Sequence, residues 1–334
     1  MTRPRSMSAT IPRKGKIEVR NRLHILTWHN VEGTWYFPSR QGSGVRGLER
    51  QFRLLRRVGN VLPLRDALAA LSNGRPLPPR CVALTFDDGY RDNLELAAPI
   101  LEKLELPATF FLVPGFLSKE VDAWWERLAW SFTNATHPAL TWEGTSMSLA
   151  SPAERRAGCI RIAERLKRRN RLQRDQAVAS ISGALEPRGS MGDLFLDWDE
   201  ARQLARHGFE IGSHSMYHAI LSQETAEDQA LDLKRSRQLL EEQLDVDVAG
   251  LAYPNGLRKD YNEATISAAE AAGYSSALTL NHGPNGPSVP PFEIRRYLVF
   301  PERGERGLAI MASPAVSAYR AARKVTQKAT RHPR

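Results

Sequence analysis

Cysteine is almost missing from this chain: Cys81 and Cys159 are the only two in 334 residues, and they lie far apart with no metal-type spacing. That argues against a disulfide framework and against a thiolate zinc site, and it fits a reducing compartment. Long apolar runs are missing as well. The longest nearly apolar stretch, ATFFLVPGFL, is too short for a bilayer, which takes about 20 residues, and it carries Pro114 and Gly115. The opening MTRPRSMSATIPRKGKIEVRNR is basic but has no apolar stretch behind its charges, so no secretory signal is expected. No helix-turn-helix, zinc-finger or aromatic RNA-binding signature is present. A cytoplasmic protein is the expectation.

Charge is present in excess, and it is unevenly placed. The net charge is +10, yet residues 1–22, Glu154 to Asp175 and 320–334 each carry +6, which leaves −8 on the remainder. The body is therefore acidic, and the basic character belongs to two tails and one helical stretch. Nucleic acid is not the expected partner; an anionic membrane surface reached through the tails, with the protein peripheral to the inner face, fits the pattern better than nucleic acid, and plain solvated charge fits it best.

With 42% hydrophobic residues the chain can bury a large core. Short apolar runs, HILTWHNV, CVALTF, ATFFLV, FEIGS, VAGLAY, YSSALTL and IRRYLVF, alternate with helical patterns such as LELAAPILEKL, WDEARQLARHG, TAEDQALDLKRSRQLLEEQL and EATISAAEAAG. This alternation marks repeated β/α units. Gly208 and Gly273 stand where helix ends lead into strands. About seven parallel strands imply an α/β architecture, a closed or partly closed (β/α) barrel spanning 23–303. One segment, 118–192, breaks the alternation and reads as a mainly helical insertion. The three tryptophans near its start, Trp124, Trp125 and Trp130, suit packing onto the barrel, and aromatic faces of that kind also stack on sugars.

Two motifs sit at predicted strand ends, where α/β proteins keep their chemistry. In VALTFDDGYRDN, Asp87 and Asp88 end a buried strand, with Gly89 available for the turn and Asp92 or Asn93 available to cap the helix starting at Leu94. In FEIGSHSMYHAIL, His214 and His218 are four apart, a spacing that on a helical turn stacks both imidazoles on one face. Two histidines and one carboxylate make a three-ligand site with room for water. The second aspartate is then free to accept a proton.

TFDDG followed by HSMYH resembles the polysaccharide deacetylase family, carbohydrate esterase family four, from Leu23 to about Phe300 outside the insertion. The resemblance implies a distorted (β/α) barrel with fewer than eight repeats, and hydrolysis of an N-acetyl or similar acyl group on a sugar. It makes Asp87 the general base, and Asp88, His214 and His218 the metal ligands. Zinc suits that ligand set, and cobalt, nickel, manganese and iron fit similar ones. The third family motif, Arg-x-Pro-Tyr-Gly, is matched in part by AYPNG: Ala252 stands where an arginine would steady the base, and Asn255 replaces the tyrosine. The backbone N–H of Asn255 is the expected oxyanion donor. Arg295 or Arg296, on another strand, is the expected substitute for the missing arginine.

For the general acid the family uses a histidine in Leu-x-His, a form that Leu280 to His282 has; His29 resembles a Tyr-His motif on the first strand of related deacetylases. The expected reaction is removal of N-acetyl groups from amino sugars of a polysaccharide or its lipid-linked precursor. The alternatives are hydrolysis of another amide, such as a formamido sugar, and a catalytically silent saccharide-binding barrel.

Overall fold

The run CVALTF is buried at every position because it is covered on both sides, as central parallel strands are. In the computed structural model, which describes residues 22–306 and 308, it is the third strand of the main sheet. The basic tails expected at 1–22 and 304–334 lie outside the described residues apart from 22, 304–306 and 308.

The strands in chain order are β1 (Leu23–Trp28), β2 (Asn60–Val61), β3 (Cys81–Phe86), β4 (Thr109–Leu112), β5 (Ala139–Trp142), β6 (Thr145–Ser148), β7 (Glu210–Ser213), β8 (Gly250–Ala252), β9 (Ser276–Leu278) and β10 (Tyr297–Leu298). The main sheet runs β10-β1-β3-β4-β7-β8-β9 with every pairing parallel, and β2 adds to the start of β3. Its two ends meet. Ile294 bridges Leu278 in parallel, its N–H donating to the Ala277 carbonyl at 3.0 Å, while four residues later Leu298 pairs with Thr27 of β1. The segment leading into β10 thus closes a distorted (β/α) barrel of seven parallel strands.

Period-two alternation sorts the side chains. Leu23, Ile25, Cys81, Ala83, Phe111, Ala252, Leu278 and Ile294 pack together inside the barrel, while Leu26, Trp28, Val82, Leu84, Phe86 and Phe110 pack outward against helices. Phe111 fills the interior only because Gly212 has no side chain: a Cβ there would lie 2.4 Å from the phenyl ring. Leu64, Ala67 and Leu71 of α2 (Leu64–Ser72) join the interior cluster and stopper one end. Around the outside lie α1 (Ser43–Val58), α3 (Ala98–Lys103), α8 (Trp198–Arg206), α9 (Ala226–Leu244) and α10 (Glu263–Ala271). Several start where the sequence supplies a cap, as Asp197 and Glu200 do for α8 and Thr225 does for α9. Gly208 and Gly273 follow helix ends with positive φ.

After the short α4 (Pro114–Leu117), the expected insertion holds α5 (Trp124–Thr133), α6 (Pro152–Leu166) and α7 (Arg171–Leu185). It also holds an antiparallel hairpin, β5–β6, that the mainly helical reading left out. Glu143 and Gly144 at the hairpin tip both adopt positive φ, which makes the tight reversal possible. Leu128, Phe132, Leu140, Leu149, Ile162 and Ile181 form a second apolar core with Trp124 and Trp125. Trp124, Trp125 and Trp130 are all buried, so packing is their structural role.

Candidate active site

The carboxyl end of β3 is where the interior alternation of Cys81, Ala83 and Thr85 continues into Asp87. Asp87 therefore points into the top of the barrel. Arg296, entirely buried, meets it with two hydrogen bonds, Nη1 to Oδ1 at 2.7 Å and Nη2 to Oδ2 at 2.8 Å. The guanidinium also donates to the hydroxyls of Thr27 and Thr85 and the carbonyl of Thr279, and lies 5.6 Å from the Phe111 ring centroid. Burial works to raise the Asp87 carboxyl, but Arg296, His214 and His29 outweigh it and hold it below the ordinary aspartate range. Arg295, one residue away, faces the opposite side of the strand and is exposed against Gly283. Strand alternation brings one of the two candidate arginines to the site and leaves the other outside.

Asp88 and Gly89 both adopt left-handed backbone, with φ of 73° and 76°, and this swings the chain off the end of β3 and turns Asp88 away from Asp87. Beyond β7, the loop carrying His214 and His218 is not the helical turn that the spacing predicts. It is an irregular segment in which Ser215 and His218 have φ of 63° and 50°. Its shape is held by Asp232 of α9, whose carboxylate accepts the Met216 N–H at 2.8 Å, a contact no local sequence pattern announced. Left-handed non-glycine residues at Asp88, Ser215, His218 and Asn255 concentrate backbone strain around one cleft, as functional sites do.

The result is a three-donor cluster. The Nε2 atoms of His214 and His218 each lie 3.3 Å from Asp88 Oδ1, and ligand atoms of all three residues fall within 4.8 Å of one another. His214 Nδ1 sits 2.7 Å from the Ala252 carbonyl, which can only accept, so Nδ1 carries a proton and Nε2 is the atom turned to Asp88; burial works to lower this imidazole, but Asp87 and Asp88 hold it above its ordinary range, and a cation would take the place of the Nε2 proton. Burial pushes His218 down to about 4, which keeps its imidazole neutral, as a ligand must be. Asp88 Oδ1 is buried without a hydrogen-bond partner. An orphaned carboxylate oxygen facing two imidazole nitrogens is the donor set a divalent cation fits.

The cleft above this cluster has a volume of about 450 Å³. Its lining includes His29, Trp124, Trp125, Asn255 and His282, so the tryptophans that pack the insertion also wall the site. Asn255 has φ of 57° and is followed by Gly256 at 64°, whose Cβ would meet the Leu280 nitrogen at 2.8 Å. His29 is half-buried with Nδ1 lacking a partner, and it contributes to holding both aspartates ionised. His282 lines the same cleft and is exposed, its ring 5.8 Å from that of Tyr297. Neither Asp92 nor Asn93 caps a helix. Asp92 Oδ2 instead accepts the N–H groups of Val31 and Glu32 at 2.8 and 2.9 Å, and the Asn93 amide donates to the His29 carbonyl at 2.7 Å.

Paired carboxylates and a cluster of two histidines with one aspartate that could hold a metal ion stand at an open cleft at the carboxyl ends of parallel strands, the arrangement of a hydrolase site on a (β/α) barrel. The profile of the Polysaccharide deacetylase family matches residues 74–277, more than half of the chain, and the chain belongs to that family: it is a hydrolase acting on carbon–nitrogen bonds other than peptide bonds. YxkH of Bacillus subtilis (strain 168), named for the same family, is 22% identical over 291 residues, 86% of this chain and 74% of that protein. The poly-β-1,6-N-acetyl-D-glucosamine N-deacetylase of Escherichia coli (strain K12) is 32% identical over 103 residues, 30% of this chain but 15% of that much longer protein. The Streptococcus pyogenes deacetylase PplD, solved in complex with acetate, shares the fold, with a TM-score of 0.59 at 18% identity over 88% of this chain and all of that one.

Proposed function

We propose that this enzyme removes N-acetyl groups from an N-acetylhexosamine polymer of the poly-N-acetylglucosamine kind, or from its lipid-linked precursor. The observation that carries the reading is the juxtaposition of the Arg296-clamped Asp87 with the Asp88, His214 and His218 cluster. The substrate class is supported by the match to the E. coli N-deacetylase. Asp88, His214 and His218 would hold a divalent cation, zinc by preference of the donor set, with cobalt, nickel, manganese and iron as alternatives. When bound, it supplies Lewis acidity that makes water more acidic and polarises the acyl carbonyl.

Asp87 is the proposed general base. A carboxylate held below its ordinary range is a weak base, so it can serve only where the water it deprotonates has itself been acidified. The base and the cation site therefore imply one another. The Asn255 N–H is the proposed donor to the developing oxyanion, a role its place in the cleft lining supports. His29 is the proposed acid for the leaving amine, favoured over His282 because its buried, unpartnered Nδ1 lies beside the aspartates. Each turnover would convert a neutral amide into a cationic amine.

The test is acetate release from N-acetylglucosamine oligomers by purified protein. Asp87→Asn is expected to lower kcat by about 10²–10⁴-fold, and His29→Ala similarly, with His282→Ala losing far less. Chelation should abolish the activity of the wild type. Full activity in Asp87→Asn or in chelator would remove the mechanism, and a larger loss in His282→Ala than in His29→Ala would exchange their roles. The tails at 1–22 and 304–334 are proposed to hold the enzyme at an anionic membrane face; unchanged vesicle co-sedimentation after their deletion would reject that.

A further inference from the structure

The two imidazoles of the cluster are held in different ways. His214 is fixed through its ring, by Nδ1 against the Ala252 carbonyl. His218 lacks such a tie: its Nδ1 is buried without a hydrogen-bond partner among the described residues, and its ring lies between Trp125 and Phe116, at 4.5 and 6.3 Å between centroids. Apolar packing confines a ring but is non-directional. What aims His218 Nε2 at Asp88 is therefore the backbone that carries it, and that backbone is left-handed, with φ of 50°. A residue other than glycine keeps such a conformation where its surroundings impose it.

The contact that reaches this backbone comes from the insertion. Arg174 of α7, buried at 3% exposure, donates from Nη1 to the His218 carbonyl at 3.2 Å. Its guanidinium lies 5.4 Å from the Trp124 ring centroid, and its Nε donates to Asp175 Oδ1 at 2.8 Å. The helix that carries Arg174 is itself seated on the barrel. The Arg171 N–H, in its first turn, donates to Glu224 Oε1 at 2.6 Å, just ahead of α9, and the Arg171 guanidinium stands 4.6 Å from the centroid of Tyr217, the neighbour of His218. A positive charge near a metal site opposes the metal, but Asp175 answers the charge of Arg174. What the guanidinium contributes is then position: a buried, charge-assisted hydrogen bond to the main chain of a residue whose ring has no directed partner of its own.

We propose that Arg174 is a positioning residue for the cation site. By holding the His218 carbonyl it orients the His218 ring toward Asp88, so that cation affinity is set partly by the insertion and not by the barrel alone. The insertion is in this reading a working part of the site, joined to it through one arginine. This inference rests on the cation site proposed above.

The experiment titrates zinc and cobalt(II) into chelator-treated, full-length protein by calorimetry, and records the visible absorption of bound cobalt as a report on ligand geometry. Arg174→Met is expected to raise the Kd for zinc by about 10–100-fold and to alter the cobalt spectrum. Arg155→Met is the control. Arg155 also belongs to the insertion and also donates to backbone carbonyls, but its acceptors, Thr133, Ala135 and Leu149, all lie within the insertion, so Kd and spectrum should match those of the wild type. A wild-type Kd and spectrum in Arg174→Met overturns the proposal. So does an equal weakening in Arg155→Met, which would reduce Arg174 to a support of the insertion. If Arg174→Met does not keep the far-UV circular dichroism of the wild type, Arg174→Gln decides by the same criteria. A wild type that binds neither metal overturns the cation site itself, an outcome distinct from a wild type and an Arg174→Met variant that bind equally well.

Discussion

Asp87 and Arg296 are separated by 209 residues, and the contact between them depends on which way one strand residue faces. Ala252, in place of an arginine, leaves room inside the barrel; Arg296 enters from the closing segment instead and rests on Phe111. A buried ion pair contributes little against an apolar replacement of both partners, but removing one partner strands the other charge at a cost of about 3–5 kcal/mol. Arg296→Met should therefore destabilise the protein by about that amount in urea denaturation, and the double variant Asp87→Asn/Arg296→Met should regain part of the loss. Arg295→Ala, altering an exposed side chain, should stay within about 0.5 kcal/mol of wild type. Equal effects of the two arginine substitutions would contradict the inward and outward assignment. The sequence offered the pair Arg295–Arg296 without a choice between them, because a two-residue strand such as β10 has no pattern long enough to show its phase.

At the scale of elements, the strands were legible because parallel strands covered on both faces are continuous apolar runs, and CVALTF is read off with its ends intact. The sheet's closure was not legible, since a single bridge at Ile294 makes it. Nor was the conformation of the His214–His218 loop: residues four apart can be brought together by left-handed turns as well as by a helix, and Asp232, which decides the matter, is 14 residues downstream. The hairpin β5–β6 escaped notice because four-residue strands on an insertion are too short for a period. Asp92 shows the same limit, serving as an anchor for the β1 loop where a helix cap was expected, next to a π-helical turn at Asn93–Ala97. Burial pushes its carboxyl up to about 6, against 3.8 for the ordinary group. Both states are protonated at low pH; as pH rises from about 4 to 6 the unfolded chain ionises first, and the folded state loses up to about 3 kcal/mol relative to it. Wild type should therefore gain stability relative to Asp92→Asn as pH falls from 7.5 toward 4.5, a difference read by urea denaturation at the two pH values. A stability gap between the two proteins that does not change with pH would show that Asp92 titrates normally in the fold.

For the whole molecule, charge and the proposed cation would act on the same body. Much of the basic stretch on α6 and α7 is already committed: Arg165 and Arg169 pair with Glu143 and stand over Trp142, Arg155 binds backbone carbonyls, and Arg174 donates to the His218 carbonyl from beneath Trp124. These contacts fasten the insertion to itself and to the loop that carries a proposed ligand. Among the described residues no helix is long and apolar enough to cross a membrane. Because Asp88, His214 and His218 come from two separate strand ends, β3 and β7, a cation held among them would join segments far apart in the sequence and bind only the folded chain. Such linkage stabilises by about 2.7 kcal/mol when free cation stands at 100 times its Kd. Zinc added to chelator-treated protein should raise Tm by several degrees, with the midpoint climbing further as zinc increases, while Asp88→Ala and His218→Ala should show no such rise. A Tm gain in Asp88→Ala equal to that of wild type would place the cation elsewhere, and would separate the fate of the metal site from that of the fold around it.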